Sequence, residues 1–281
     1  MAEDIGSGGP GLVLVATPIG NLGDMTVRAL SELRRADSIA CEDTRRTGSL
    51  LAHFDIGHTP FIVCNEHREA EAASEIVSRI ARGERVALVT DAGMPAISDP
   101  GERVVRSVLD AGHGVTAAPG VSAVVAALAM SGLSTERFVF DGFLPRKGVE
   151  RARMMALLER EERTTVLYEA PHRIRRTIDE LAQLLGPERS VVIARELTKK
   201  FEDIWRGTLS GAQEHLQSVE PRGEYVVVVG GVEPRTATDD VLIEALQREL
   251  TSGATKRDAV DAVVQEYDAP KRHVYSLALD L

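Results

Sequence analysis

Cysteine is scarce in this sequence. The 281 residues include only two cysteines, Cys41 and Cys64, and each lies within an apolar run. Such a pair is typical of reduced, buried thiols, whereas disulfide-stapled domains and metal modules carry several cysteines at regular spacings. His67 has no second histidine at metal-ligand spacing. The sequence therefore predicts no metal site and favours a protein of the reducing cytoplasm.

Long apolar runs are also missing. None approaches the roughly 20 residues that a membrane-spanning helix needs. Residues 1–10 are acidic and glycine-rich, not basic and then apolar as in a secretory signal. We therefore expect a soluble protein with a disordered leader over residues 1–10.

Basic residues are outnumbered, since 33 Lys and Arg stand against 43 Asp and Glu, a net charge of −10. Proteins that bind nucleic acid through the electrostatic field of their net charge are basic. Any cationic contact surface on this protein must therefore be local.

The stretch 90–101, with the sequence TDAGMPAISDPG, is the most informative part of the chain. It follows the apolar run 85–89, which is typical of a buried strand, and precedes a helical pattern that starts at Glu102. Loops between strands and helices usually have about 2–6 residues, and two glycines and two prolines here fix unusual backbone angles. Because open parallel sheets bind ligands at the carboxyl ends of their strands, this pattern predicts a ligand-binding loop.

Alternating apolar runs and helical patterns predict two α/β domains. Five strand–helix units over residues 11–133 predict a parallel sheet. The pattern restarts over residues 134–232, where the alternation of residues 201–207 is typical of one side of a hairpin and so predicts a mixed sheet. The first turn, residues 17–26, has neither the GxGxxG spacing of a dinucleotide fold nor the ending of a P-loop.

The end of the chain has a different character. Residues 233–238 have the composition of a linker, and residues 238–281 carry three short amphipathic helical patterns that predict a small helical region. Two of these helices begin with basic residues, at 255–258 and 270–273. The pattern fits a nucleic-acid-binding module and simple packing on the main body equally well.

Five passages in this order resemble the tetrapyrrole-methylase superfamily, and most closely its branch that methylates small-subunit ribosomal RNA. The passages are 17–24 (TPIGNLGD), 41–45 (CEDTR), 91–101 (DAGMPAISDPG), 168–173 (YEAPHR) and 195–199 (RELTK), within a resemblance that covers about residues 11–232. Where tetrapyrrole enzymes carry Gly-Gly-Asp-Pro, this chain has Ala92-Gly93-Met94-Pro95. This difference places a tetrapyrrole substrate in doubt but not the cofactor.

The resemblance implies a homodimeric enzyme that holds S-adenosylmethionine between two α/β domains. It implies methyl transfer to the ribose 2′-hydroxyl of a cytidine in the decoding region of 16S ribosomal RNA, on the small ribosomal subunit. The residues expected to bind the cofactor are Pro18, Asp91, Ala92, Gly93, Met94, Ile97, Ser122, Ala123, Tyr168, Glu169 and Leu197.

A ribose hydroxyl is a poor nucleophile at neutral pH, so a base or a cation near the developing alkoxide should help. We expect Lys199 and Glu169 to lie nearest the reacting hydroxyl. The residues expected to bind the RNA backbone are Arg45, Arg146, Lys147, Arg151 and Arg173. Because the net charge is negative, we expect an assembled subunit to be a better substrate than naked RNA.

Two alternatives belong to other classes. A C-methyltransferase for uroporphyrinogen or a precorrin would share the fold and the cofactor but leaves the helical region without a role. A non-enzymatic RNA-binding or cofactor-sensing module would use the basic helix starts at Lys256 and Lys271.

Overall fold

The structure is a computed structural model that describes residues 9–232, 238–267 and 269–281. Residues 1–8 of the expected leader and residues 233–237 of the expected linker lie outside this range. The chain divides into two compact units, of which the first contains residues 9–159 and 163–230 and the second contains residues 160–162 and the described residues from 231 onward. Both sheets lie in the first unit, so the predicted boundary at residue 133 stays a prediction.

The first sheet is parallel, as the five strand–helix units predict. Its strands lie in the order β3-β2-β4-β1-β5, and every pair is parallel. In chain order its elements are β1 (Gly11–Val15), α1 (Val27–Arg35), β2 (Ser38–Cys41), α2 (Thr44–His53), β3 (Phe61–Val63), α3 (Glu69–Ala81), β4 (Arg85–Leu88), α4 (Glu102–Asp110), β5 (Val115–Ala118) and α5 (Ala123–Ser131).

Helices cover both faces of this sheet. On one face α3 and α4 place Ile76 and Val104 against Leu88 of the sheet. On the other face Leu33 of α1 and Leu51 of α2 belong to a separate buried cluster. Burial on both faces explains why the strands are continuous apolar runs without alternation.

The second sheet is mixed, with the strand order β6-β7-β10-β8-β9. Only β6 and β7 are parallel; β10 runs antiparallel to both β7 and β8, and β9 antiparallel to β8. Its elements are β6 (Phe138–Phe143), α6 (Val149–Arg160), β7 (Thr164–Glu169), α7 (Ile174–Leu185), β8 (Ser190–Arg195), β9 (Asp203–Thr208), α8 (Leu209–Ser218) and β10 (Tyr225–Val229).

The packing of this sheet explains two features of the sequence. Helices α6, α7 and α8 cover one face, and the alanine-rich α5 covers the other, where Val124 and Leu128 join Val226 and Val228 in one buried cluster. A helix of small apolar residues fits closely against a sheet. The prediction that residues 201–207 form one side of a hairpin is confirmed, since β9 pairs antiparallel with the preceding strand β8. Helix α8 was not predicted.

The second unit consists of three helices, which confirms the three amphipathic patterns at the end of the chain. They are α9 (Asp239–Thr251), α10 (Lys256–Tyr267) and α11 (Lys271–Leu279), and Leu246, Val263 and Val274 are fully buried among them. Two side chains at the start of α11 have partners within the unit, since Lys271 Nζ lies 2.5 Å from Asp261 Oδ1 and His273 Nε2 lies 2.7 Å from Asp239 Oδ1.

Over the described residues, no helix combines the length and the apolar character that crossing a membrane requires.

A buried ion pair joins α1 to β4 and gives a stability prediction. Glu32 Oε2 accepts from Arg85 Nε at 2.9 Å, and the Glu32 side chain is 7% exposed. Glu32→Gln should lower the free energy of unfolding by about 3 kcal/mol, because it removes the charge that balances a buried guanidinium. Urea unfolding measures the loss. Glu102→Gln is the control, since its pair with Arg106 is exposed and its loss should cost below about 0.5 kcal/mol. Equal losses in the two variants would contradict the prediction.

Candidate substrate and cofactor site

The loops after β1 and β4 are joined to each other. Thr17 N donates to the carbonyl oxygen of Gly93 at 2.9 Å, and Gly93 N donates to the carbonyl oxygen of Thr17 at 3.0 Å. Thr17 Oγ1 also donates to the carbonyl oxygen of Thr90 at 3.0 Å. The two longest strand–helix loops of the parallel sheet therefore form one surface at its carboxyl edge.

The second of these loops, residues 90–101, is closed upon itself. Ala96 and Ser98 have φ angles of 69° and 60°, in the left-handed region that side chains other than glycine rarely adopt. Ala96 N donates to the carbonyl oxygen of Pro100, and Glu69 Oε1 accepts from Gly101 N at 2.8 Å. Strained residues of this kind persist only where the surrounding structure holds them, and they cluster at functional sites.

The mixed sheet contributes a loop with the same character. Glu196 and Thr198, directly after β8, have φ angles of 51° and 67°. Glu196 Oε1 accepts from Glu224 N at 3.0 Å, which ties this loop to the start of β10. Leu197 is 5% exposed and lies between the two strained residues.

These loops enclose a first cavity of about 320 Å³. Nine of the eleven residues expected to bind the cofactor line it, namely Ala92, Gly93, Met94, Ile97, Ser122, Ala123, Tyr168, Glu169 and Leu197. Burial raises the pKa of Tyr168 to about 12, with Asp99 and Glu224 adding to the rise, so its hydroxyl stays protonated and can donate a hydrogen bond there.

Pro18 and Asp91, the other two expected residues, line a second, more polar cavity of about 530 Å³ instead. Ile19, Ala92 and Glu224 border both cavities, so the two are neighbours.

The walls of the second cavity carry charge. Arg46 Nη1 lies 3.2 Å from Asp91 Oδ2, and Lys199 also lines this cavity. The cationic groups of this cavity can meet a phosphate or an alkoxide, whereas the first cavity is mainly apolar.

Lys199 is held between two carboxylates. Its Nζ lies 2.8 Å from Glu196 Oε1 and 2.8 Å from Glu224 Oε2. Partial burial lowers the pKa of Lys199, but the hydrogen bonds to both carboxylates raise it by a larger amount. The pKa is therefore above its usual value, and the amino group stays charged. Its alkyl chain passes over Gly20, where a Cβ atom would lie 2.3 Å from Lys199 Cγ. Gly20 is therefore required for the placement of this lysine.

The structure corrects the expected role of Glu169. Its side chain is 1% exposed, Oε1 lies 3.0 Å from Arg173 Nε, and Oε2 accepts from Thr177 Oγ1 at 2.6 Å. Oε1 also accepts from Ala170 N at 2.8 Å. Both carboxylate oxygens are thus satisfied inside the protein, and Glu169 positions the cavity wall instead of meeting a reacting hydroxyl.

The expected RNA-binding residues divide into two groups. Arg45, Arg146 and Lys147 are exposed. Arg151 is 5% exposed, and its guanidinium lies 2.6 Å from Glu180 Oε2 and donates to the carbonyl oxygen of Pro145. Arg173 is bound to Glu169 and to the carbonyl oxygen of Leu144. We therefore correct the expectation for Arg151 and Arg173, which stabilise the turn before α6 and are not available to a phosphate.

Several residues of the first cavity were not among the residues expected to bind the cofactor, for example Ile19, Asp99, Glu224 and Tyr225. Glu224 and Tyr225 lie at the amino end of β10, whereas the expected residues lie at or after the carboxyl ends of strands. Because β10 is antiparallel to its neighbours, Tyr225 pairs with Glu169 at the end of β7 and with Arg195 at the end of β8. The Tyr225 hydroxyl is buried and has no hydrogen-bond partner among the described residues. Asp99, by contrast, lies in the loop of residues 90–101, which the sequence predicts to bind a ligand.

Across the described part of the chain, no group of three or more His, Cys, Asp or Glu side chains is placed to hold a metal ion.

Thr177 gives a direct test of the buried network behind the cavity wall. Its hydroxyl donates to Glu169 and accepts from Arg151 Nη2 at 3.1 Å. Thr177→Val keeps the shape but leaves two buried charged groups short of a partner, so the free energy of unfolding should fall by about 1–3 kcal/mol. Urea unfolding measures this, and Thr177→Ser should restore most of the loss. A valine variant as stable as the parent chain would refute the network's importance.

Comparisons with known proteins agree with this geometry. The family model of the tetrapyrrole (corrin/porphyrin) methylases matches residues 11–213. The chain is 44% identical to ribosomal RNA small subunit methyltransferase I of Synechocystis sp. over 273 residues, covering 96% of this chain and 98% of that protein. It is 46% identical to the enzyme of the same name from Xylella fastidiosa over 269 residues, covering 94% and 97%.

A solved structure shares the fold at lower identity. Uroporphyrin-III C-methyl transferase from Thermus thermophilus, complexed with S-adenyl homocysteine, superposes with a TM-score of 0.54 at 19% identity, over 78% of this chain and 97% of that one. The chain therefore belongs to the tetrapyrrole methylase family, in the branch formed by the ribosomal RNA small subunit methyltransferases I.

Proposed function

We propose that this protein transfers a methyl group from S-adenosylmethionine to the ribose 2′-hydroxyl of a cytidine in the decoding region of 16S ribosomal RNA. The observation that carries the proposal is the pair of neighbouring cavities, one mainly apolar and one polar and cationic, which share Ile19, Ala92 and Glu224. A methyl transferase needs two ligands side by side. The near-full-length relatives named for this activity support the choice of substrate.

The first cavity fits the cofactor. Its volume lies near the lower end of the roughly 300–1,000 Å³ range of small-molecule sites, and such sites combine apolar walls with a few polar groups. The unpartnered hydroxyl of Tyr225 offers a hydrogen bond to a polar ligand atom. Gly93, with a φ of 83°, leaves the main chain of the loop open to close approach.

The cofactor supplies an activated methyl group, and the protein's residues hold the acceptor in line with it. In this proposal the second cavity takes the target nucleotide. Lys199 stays protonated between Glu196 and Glu224 and stabilises the negative charge that develops on the ribose oxygen. The sulfur keeps the electron pair of the broken S–CH3 bond, and the hydroxyl proton is released to water. Arg146 and Lys147, exposed before α6, meet the RNA backbone, as does the exposed Arg45 in the first turn of α2.

We also propose a homodimer that acts on the assembled or nearly assembled small subunit in the cytoplasm. The net charge of −10 supports a shaped ribosomal surface over naked RNA, because local cations then meet phosphates whose positions are fixed. Exposed Val125 on α5 and Phe138 on β6 supply apolar surface of the kind that dimers bury.

A methylation assay tests the proposal. Small subunits that lack the modification are incubated with the protein and radiolabelled S-adenosylmethionine, and the labelled site is located by its resistance to alkaline cleavage, since a 2′-O-methyl group blocks that reaction. Label at a decoding-region cytidine is expected. Label in uroporphyrinogen and none in subunits would favour the tetrapyrrole alternative. Equal rates on subunits and on protein-free RNA would contradict the preference for an assembled particle.

Lys199→Met tests the catalytic assignment. It should lower single-turnover methylation about 100-fold or more, as expected for loss of a group that stabilises an oxyanion, while the dissociation constant of the cofactor stays within about twofold of the parent value. Lys200→Met is the matched control, because Lys200 lies over the Phe201 ring and lines neither cavity. An unchanged rate in Lys199→Met would remove Lys199 from the mechanism.

A further inference from the structure

Three carboxylates line the first cavity: Asp99, Glu169 and Glu224. Glu169 is paired with Arg173, and Glu224 is paired with Lys199. Asp99 forms no ion pair within the ranges that the structure describes. The cavity therefore holds one carboxylate charge that its own residues do not balance.

Asp99 is fixed in place by the backbone around it. The strained Ala96 and Ser98 precede it, and the hydrogen bond from Ala96 N to the carbonyl oxygen of Pro100 closes the loop across it. Gly101, at φ 140°, ends the loop where a Cβ atom would lie 3.1 Å from Ala96 N. The backbone on both sides of Asp99 is thus constrained, so this residue is held at the cavity.

The ionised form of Asp99 is less favourable in this position than it would be in water. Burial raises its pKa above the usual value, the Thr90 hydroxyl opposes that rise, and the neighbouring carboxylate of Asp91 adds to it. A cation in the cavity would stabilise the ionised carboxylate, since opposite charges interact strongly where water is excluded.

The cofactor of the proposed function carries a cation that its product lacks. S-adenosylmethionine and S-adenosylhomocysteine share the adenosine, the ammonium and the carboxylate, but only the former has a sulfonium with a positive charge. On the basis of the proposed function, we propose that Asp99 recognises the sulfonium charge and makes the first cavity select the methyl donor over its demethylated product. Once the methyl group has left, the partner of Asp99 is lost and the product is held less tightly.

Isothermal titration calorimetry tests this without any reaction. The ligands are S-adenosylmethionine, S-adenosylhomocysteine and an unreactive analogue with a protonated amine in place of the sulfonium. Asp99→Asn should raise the dissociation constants of the two cationic ligands about tenfold, as expected for loss of a partly buried charge partner. The dissociation constant of S-adenosylhomocysteine should change less than about twofold.

Three further variants complete the experiment. Glu102→Gln removes one exposed carboxylate three residues away and should leave all three affinities unchanged. Asp99→Glu keeps the charge and should retain the preference for cationic ligands. Asp99→Ser repeats the test if the asparagine variant does not fold, as judged by circular dichroism.

Two outcomes would overturn the proposal. Equal weakening of all three ligands would place Asp99 against a group that they share, such as the ammonium or the ribose, and no weakening would remove it from recognition. Because the readout is binding alone, either result is separate from the fate of the RNA substrate, which the methylation assay decides.

Discussion

The reciprocal hydrogen bonds between Thr17 and Gly93 are the constraint on which the rest of the site depends. They join the loops that follow β1 and β4, neighbouring strands of the parallel sheet. Thr17 faces the second cavity and Gly93 faces the first, so this short antiparallel bridge forms part of the wall between them. Ile19 and Ala92, which border both cavities, flank it on either strand. One local contact thus fixes the spacing of the two cavities.

Charge around this wall is balanced residue by residue. Arg46 forms an ion pair with Asp91, Lys199 with Glu196 and Glu224, and Arg173 with Glu169. The Arg173–Glu169 pair is buried, so breaking it would leave a buried charge without a partner. The pairs of Arg46 and Lys199 are partly exposed and contribute little net stability. The same balance leaves Asp99 as the exception that calls for a cationic ligand.

Much of this arrangement could be predicted from the sequence. Continuous apolar runs gave the parallel strands, and the length and composition of residues 90–101 gave the ligand loop. The resemblance supplied nine residues that do line the first cavity. These predictions succeed because they depend on local pattern and on the rule that ligands bind at the carboxyl ends of parallel strands.

The failures have a common physical reason, which is that they depend on the neighbours a residue acquires through folding. Glu169 ends a strand, where catalytic residues are often found, yet Arg173 and Thr177 bind both its oxygens. Arg151 lies on a helix whose sequence is typical of a solvent-exposed face, but in the structure it is buried and forms an ion pair with Glu180 of α7. Glu224 and Tyr225 reach the cavity only because β10 is antiparallel to the strands on each side.

Backbone strain shows how firmly the site is built before any ligand arrives. Of the five non-glycine residues with positive φ in the described chain, four lie in two loops that face each other across the first cavity: Ala96 and Ser98 on one side, Glu196 and Thr198 on the other. Each costs on the order of 1–3 kcal/mol, so only the surrounding hydrogen bonds can keep it there. These loops are therefore already ordered in the folded protein, and a ligand does not have to order them when it binds. A preformed cavity of this kind suits a reaction whose catalysis consists largely of holding two groups in line.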